Sequence, residues 1–454
     1  MESIELLDGI IRVSPMALGI DIVLMIHFLY TYYVHCYKQG FKIDPWHWGL
    51  FISYFISTLL MYPLAGSELN SLFISQHLQK LQPLVDQAFY ITICGYIFTY
   101  IGFYYFNFRL PDRNKDIIFL ITNTLSRKLI TVIYEIINSK IVIIILSVFL
   151  VVITILVTVG AIVKYGLSLN LRNDAMLDEI FRPIFNFVYS SSIPMISSFM
   201  LIRYLKYKER ILVILYVLIL IMTMISGMRG AILGPILGTV MLYAFYQRKK
   251  ISLITIAIIG GSLLFTALFI GGMRSANSDL STVLLNMGVS LFYGNNFSDV
   301  RDFAWILAYW DSEYILGKSY LAGFLSFIPR SISEFREVWS ISIYTTQTLV
   351  GLSENHPGLR PGAFGEVYFN FGILGVILLG FIGGYIARYI DFKVKENIIS
   401  ENKDYSVGYA YTCITIFLSS FYISAAAWSV YVFLFILAFA YILVLFFKRF
   451  KIRW

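Results

Sequence analysis

Long apolar runs recur from one end of the chain to the other, parted by short polar stretches. Runs at about 16–36, 47–63, 86–106, 141–163, 183–202, 211–226, 230–247, 251–270, 365–387, 407–424 and 428–447 match or approach the length needed to cross roughly 30 Å of hydrocarbon. They predict an all-α, polytopic transmembrane helix bundle of about eleven membrane segments. A membrane barrel would instead show short segments of alternating polarity. Several runs are short or interrupted: Pro194 falls inside the fifth, and only "GMRG" parts the sixth from the seventh. The predicted organisation is therefore transmembrane helices 1–8 over 1–270, a long external stretch over 271–364, and helices 9–11 over 365–454. No internal repeat, low-complexity tract or soluble domain is visible.

The 271–364 stretch is too long for a connector. Loops beyond about 15 residues are usually functional or disordered, and this one is too aromatic and apolar for disorder. In "RDFAWILAYWDSEYILG", Phe303, Ile306, Leu307 and Trp310 repeat at helical spacing. That predicts an amphipathic helix lying on, or re-entering, the membrane surface, either as a lid over a cavity or as a structural cap.

Composition agrees with a membrane protein. Of 454 residues, 58% are hydrophobic and 14% charged, and the mean hydropathy is +0.75; soluble domains carry about a quarter charged residues. The net charge of +8 fits topogenic lysines and anionic lipid rather than nucleic acid, which is not expected as a partner. The start, "MESIELLDGIIRVS", lacks the basic opening and small-residue site of a cleavable signal. Cys36, Cys94 and Cys413 all lie in or beside apolar runs. Their spacing suggests neither a metal site nor a disulfide frame, and they read as buried thiols.

Lysine and arginine orient the chain. With the C-terminal "KRFKIRW" in the cytoplasm and the N-terminus outside, 23 of the 35 basic residues fall on the cytoplasmic side, as the positive-inside rule asks. The outer set is three lysines and nine arginines, the inner set 14 lysines and nine arginines. Topology needs only charge; arginine adds a planar fork that grips phosphate or carboxylate in two bonds. Seven of the twelve outer basic residues lie between Arg229 and Arg360. The outer face of the C-terminal half is therefore expected to hold an anion.

The candidates follow from that expectation. Arg229, in "ISGMRGAILG", sits in a tight glycine-flanked turn near the membrane boundary, and Arg274, in "GGMRSANSD", ends the eighth segment. Each is either an anion ligand or an arginine snorkelling to headgroups. Arg330 follows a proline in "FIPRSISEF". The stretch "ENHPGLRPGAFGEVYFNFGILG" (354–375) packs His356, Arg360 and Glu366 into eleven positions at the mouth of the ninth segment. His356 and Glu366 are the candidate catalytic groups, His356 first because its ordinary pKa of about 6.5 suits a proton acceptor. Glu366 is otherwise a first-turn carboxylate favoured by the helix dipole. No Walker loop, dinucleotide fingerprint, HExxH or DxD pair is present, so no metal or cofactor is expected.

"SGMRGAILGP", "LGKSYLAGFLSFIPRSI" and "HPGLRPGAFGEVYFNFGILGVILLGFIGG", in this order around the long stretch, resemble the oligosaccharide repeat-unit polymerases (Wzy-type O-antigen and capsule polymerases). The similarity covers mainly residues 220–390. It implies a glycosyltransferase of the GT-C-like class, related to O-antigen ligases, in the bacterial cytoplasmic membrane with its site on the outer face. Implied substrates are glycans on undecaprenyl diphosphate; implied partners are membrane lipid, chain-length regulators and flippases. The resemblance places diphosphate binding on Arg229, Arg274 and Arg360, matches Arg330 to a family position of less defined role, and makes His356 the candidate near the acceptor. Two other classes stay open. A ligase would use the same donor with a lipid A-core acceptor. A flippase would place charges at mid-membrane, where Asp21 is one carboxylate, and show repeated halves.

Overall fold

The computed structural model describes residues 14–63, 83–111, 116–166, 171–178, 181–226, 228–247, 252–275, 280–284, 287, 298–351, 359–400 and 404–450. Every regular element among them is helical. The principal helices are α1 (Pro15–Tyr32), α2 (Pro45–Leu50), α3 (Leu84–Arg109), α4 (Ile117–Asn138), α5 (Lys140–Tyr165), α6 (Ile193–Tyr207), α7 (Arg210–Ser226), α8 (Arg229–Gln247), α9 (Leu253–Ser275), α10 (Asp299–Tyr309), α11 (Lys318–Phe324), α12 (Gly362–Ile399), α13 (Tyr405–Tyr422) and α14 (Ala427–Arg449).

Local chemistry explains several starts. Ser14 and Asp44 cap α1 and α2, each followed by a proline whose missing N–H costs nothing there. Asp116 accepts from two N–H groups at the head of α4. One wide turn extends α1 over Tyr33–Tyr37, and a longer wide-turned stretch of ten residues extends α2 over Phe51–Leu60. The interruption expected at Pro194 is a wide turn over Phe187–Ser192 that leads into α6.

Seven described helices are long and apolar enough to cross a membrane: Pro15–Tyr37, Leu84–Arg109, Ile117–Asn138, Lys140–Tyr165, Phe181–Tyr207, Gly362–Ile399 and Ser424–Arg449. Their outer faces carry bare apolar side chains, such as Phe149, Val152, Leu156 and Val163 on α5. Such a surface suits lipid rather than water. This is an all-α membrane protein. Six of the seven helices coincide with predicted segments. Ile117–Asn138 does not: Asn123, Ser126, Arg127 and Lys128 dilute its mean hydropathy, so the sequence reads as a polar connection.

The chain divides into two units. The first holds Met1–Arg113, Leu268–Asp391 and Ile416–Trp428; the second holds Asn114–Ala267, Phe392–Thr415 and Ser429–Trp454. In the second, α7 packs on α5 and α8 on α6. In the first, α3 is the hub and crosses α12 through glycines. A β-carbon on Gly384 would meet the Thr99 carbonyl oxygen at 2.0 Å, and one on Gly380 the Gly95 carbonyl at 2.4 Å. Gly380 and Gly384 thus form a small-xxx-small face that lets two membrane helices touch backbone to backbone.

The helix expected in the long stretch exists as α10, but it does not lie on a surface. Every residue from Val300 to Leu307 is buried, Arg301 and Asp302 included. α3 covers one side, and Phe303 meets Tyr368 and Phe369 of α12 on another. The long helix α12 is broken once, at Gly372, whose φ of +64° is left-handed. The Tyr314 ring lies 3.2 Å from where a β-carbon would stand there, so position 372 excludes a side chain on both grounds.

Candidate functional site

Three pieces of the first unit meet at the head of α12: the start of α10, the 311–319 loop with the first turn of α11, and the residues entering α12. α10 begins with Ser298 and carries two carboxylates in its first turn, the placement a helix dipole favours. Asp302 is fully committed. Its Oδ2 accepts from the Ser298 hydroxyl at 2.9 Å and from the Arg360 backbone N–H at 3.2 Å, and its Oδ1 accepts from the Arg301 guanidinium at 3.2 Å. A buried carboxylate thereby fixes the backbone of Arg360 while the Arg360 side chain is exposed.

Asp299 stands half-buried beside this bond. Its side chain packs against Gly362, which has a left-handed φ of +71°. Burial raises the Asp299 carboxyl to about 6; the Arg360 charge opposes the rise and Asp302 adds to it. The result is a carboxyl that titrates near neutrality next to an exposed guanidinium.

Glu366, one turn into α12, is 1% exposed. Its Oε1 accepts from the Ser319 hydroxyl at 2.7 Å and its Oε2 from the Ser424 N–H at 2.9 Å. Asn370, one turn further, donates from Nδ2 to Ser319 Oγ at 2.9 Å and to the Glu366 carbonyl at 2.7 Å. Its Oδ1 accepts from the Gly317 N–H at 2.9 Å, while the Ile315 N–H reaches the Phe369 carbonyl at 3.0 Å, beside the break at Gly372. The loop making these bonds bends through left-handed Ser312, Leu316 and Gly317. Non-glycine residues in that region cost energy and persist only where their surroundings hold them. Glu366 and Asn370 do the holding.

The remaining candidates separate. Arg330 is half-buried, with a long contact of 3.5 Å to the Ser342 hydroxyl. Arg274 lies in the last turn of α9, in the first unit, and Arg229 opens α8, in the second. The side chains of Arg229 and Arg274, and all of His356, lie outside the described residues. Lys318 sits over the Trp339 ring at 4.1 Å, a cation–π contact at the foot of α11.

Of the residues the sequence singled out, Arg360 and Glu366 lie in this cluster; Asp299, Asp302, Ser319, Asn370 and Ser424 were given no role. For the aspartates a signal was present, two acids in the first turn after Ser298. For Ser319 and Ser424 there was none: they reach Glu366 across 47 and 58 residues.

The chain was compared with protein-family models, curated proteins and solved structures, and none of the three matches it.

Proposed function

We propose that this chain is a membrane glycosyltransferase that polymerises undecaprenyl-diphosphate-linked oligosaccharide repeat units at the outer face of a bacterial cytoplasmic membrane. The observation that carries the reading is the pairing of exposed Arg360 with Asp299. The first is a fixed cation suited to a diphosphate; the second is a carboxyl raised to about 6, suited to taking a hydroxyl proton. The family resemblance supplies the substrate class.

In the reaction, the bond between the donor's anomeric carbon and its phosphate oxygen breaks. The acceptor hydroxyl oxygen bonds to that carbon and its proton passes to the base. Undecaprenyl diphosphate leaves with the charge that Arg360 stabilises. Arg274 and Arg330 of the first unit are proposed as further phosphate ligands, and Arg229 of the second carries the same proposal separately. His356 and Asp299 are the two proposed bases, and Glu366 positions the head of α12. The eleven-segment topology, with the C-terminus in the cytoplasm, belongs to this proposal.

Deleting the gene and separating the surface glycan by size tests it. A single-repeat product supports a polymerase. An intact ladder of chain lengths excludes one, and loss of transfer to lipid A-core with free polymer retained identifies a ligase. Within the polymerase reading, His356→Ala should give mostly single repeats if His356 is the base. Wild-type chain length in His356→Ala with single repeats in Asp299→Asn assigns the proton to Asp299.

A further inference from the structure

The turn between α1 and α2 brings together three side chains that the sequence keeps apart. Cys36 lies in the wide turn that ends α1; Asp44 caps α2; His47 sits three residues later. All three are buried, and one potential ligand atom from each lies within 4.8 Å of the others. The turn is itself well built. The Phe41 N–H reaches the Cys36 carbonyl at 3.1 Å, the Cys36 thiol approaches the Phe41 carbonyl at 3.6 Å, and the Tyr32 hydroxyl donates to the Lys42 carbonyl at 2.8 Å.

An Asp-x-x-His cap alone would explain part of this, since Asp44 Oδ1 accepts from the His47 N–H at 2.8 Å and lies 3.0 Å from Nδ1. It leaves one atom unexplained. His47 is 2% exposed, and its Nε2 has no hydrogen-bond partner among the described residues. A buried imidazole nitrogen without a partner is costly, and a cation bound at Nε2 would satisfy it.

We propose that Cys36, Asp44 and His47 form a binding site for a thiophilic dication of the zinc class. Sulfur, imidazole and carboxylate together are a zinc-type donor set, and three protein ligands leave the fourth position to water or an external donor. Charge favours it too. A thiolate, a carboxylate and a neutral imidazole sum with a dication to zero, the condition under which a buried ionic group is least penalised. Ligands of one tetrahedral zinc stand about 3.5 Å apart, so the group needs to close by about an ångström. Binding releases the Cys36 thiol proton to solvent; Asp44 and the ligating nitrogen of His47 need lose none.

Cobalt(II) reports such a site directly. Full-length protein in detergent micelles, stripped by a chelator, should take up one equivalent of Co²⁺ with a thiolate-to-cobalt charge-transfer band that Zn²⁺ displaces. Cys36→Ser should remove the band, whereas the double variant Cys94→Ser, Cys413→Ser keeps it. Asp44→Asn separates ligand from cap, because asparagine caps a helix about as well as aspartate. It should keep a monodisperse fold yet weaken Co²⁺ by more than the roughly 10–100-fold typical of losing an outer-shell partner. Absence of the band in the wild-type protein, its persistence in Cys36→Ser, or unchanged affinity in Asp44→Asn would overturn the proposal.

Discussion

The second unit holds a polar cluster in which every strong group is spent. Arg203, 3% exposed, sends Nε and one terminal nitrogen to the two oxygens of Glu209 at 2.8 and 2.7 Å, and the other to the Ile137 carbonyl at 2.6 Å. Lys206 is shared between Asp404 and Asn138 at 2.6 and 2.7 Å, and the Tyr246 hydroxyl bonds Asn397. The cluster at the head of α12 in the first unit starts the same way, with Asp302 and Glu366 bonded through both oxygens. It then departs: among the described residues the hydrogen bond of Arg360 is made by its backbone N–H while its side chain is exposed, and Asp299 has a carboxyl displaced towards neutrality. Groups that are fully bonded staple helices; groups with bonding capacity left over, beside a perturbed carboxyl, mark chemistry.

The sharpest way to break this comparison is in the second unit. Arg203→Ala leaves Glu209 and a carbonyl unserved, and removing one partner of a buried pair costs about 3–5 kcal/mol. The purified variant should melt well below wild type in detergent, while turnover per folded molecule is unchanged. A large loss of turnover at an unchanged melting temperature would make Arg203 part of the site. The Arg203 charge also holds the Glu209 carboxyl below its ordinary value. That stability is present at neutral pH and is lost as pH falls through the depressed value.

In the first unit the expected effects reverse. Arg360→Lys keeps the charge but loses the two-bond fork, and should cut the turnover number about 100-fold, the scale of one lost transition-state donor, with protein level held. Near-normal polymer length would reduce Arg360 to a surface residue.

A smaller effect tests Asp299. With its carboxyl at about 6, the base form dominates at pH 7 and falls about tenfold by pH 5, so the rate should fall with it on the acidic side. Asp299→Asn should abolish that limb. Asp302→Asn removes a neighbouring negative charge that raises the Asp299 carboxyl, so the limb should move to lower pH. A limb unchanged in Asp299→Asn assigns it to another group.

Apolar run length carried most of the helices, because crossing hydrocarbon needs uninterrupted apolar residues and little else. It missed α4, whose apolar residues keep a helical period although Arg127 and Lys128 interrupt the run. It placed α10 as a helix but not its surroundings, since covering both faces of α10 takes α3 and α12, each distant in sequence. Arg360 and Glu366 were legible as charges at the mouth of an apolar run. The Ser319 and Ser424 partners that make Glu366 a fastener exist only after the chain has folded. Cys36 was read singly, because a helix end and a seven-residue reversal are needed to bring it to Asp44 and His47.

The glycine crossing of α3 and α12 bears on how the chain is made. Gly102 and Gly380 are separated by 278 positions, which at ~5–20 residues per second takes a ribosome between about 14 and about 56 s. For that interval α3 is in the membrane with a bare backbone groove cut for a helix that does not yet exist. Substitutions at Gly95 or Gly102 that fill the groove therefore act late. They should leave insertion of α3 untouched, and the failure should surface only when α12 arrives and finds its seat taken.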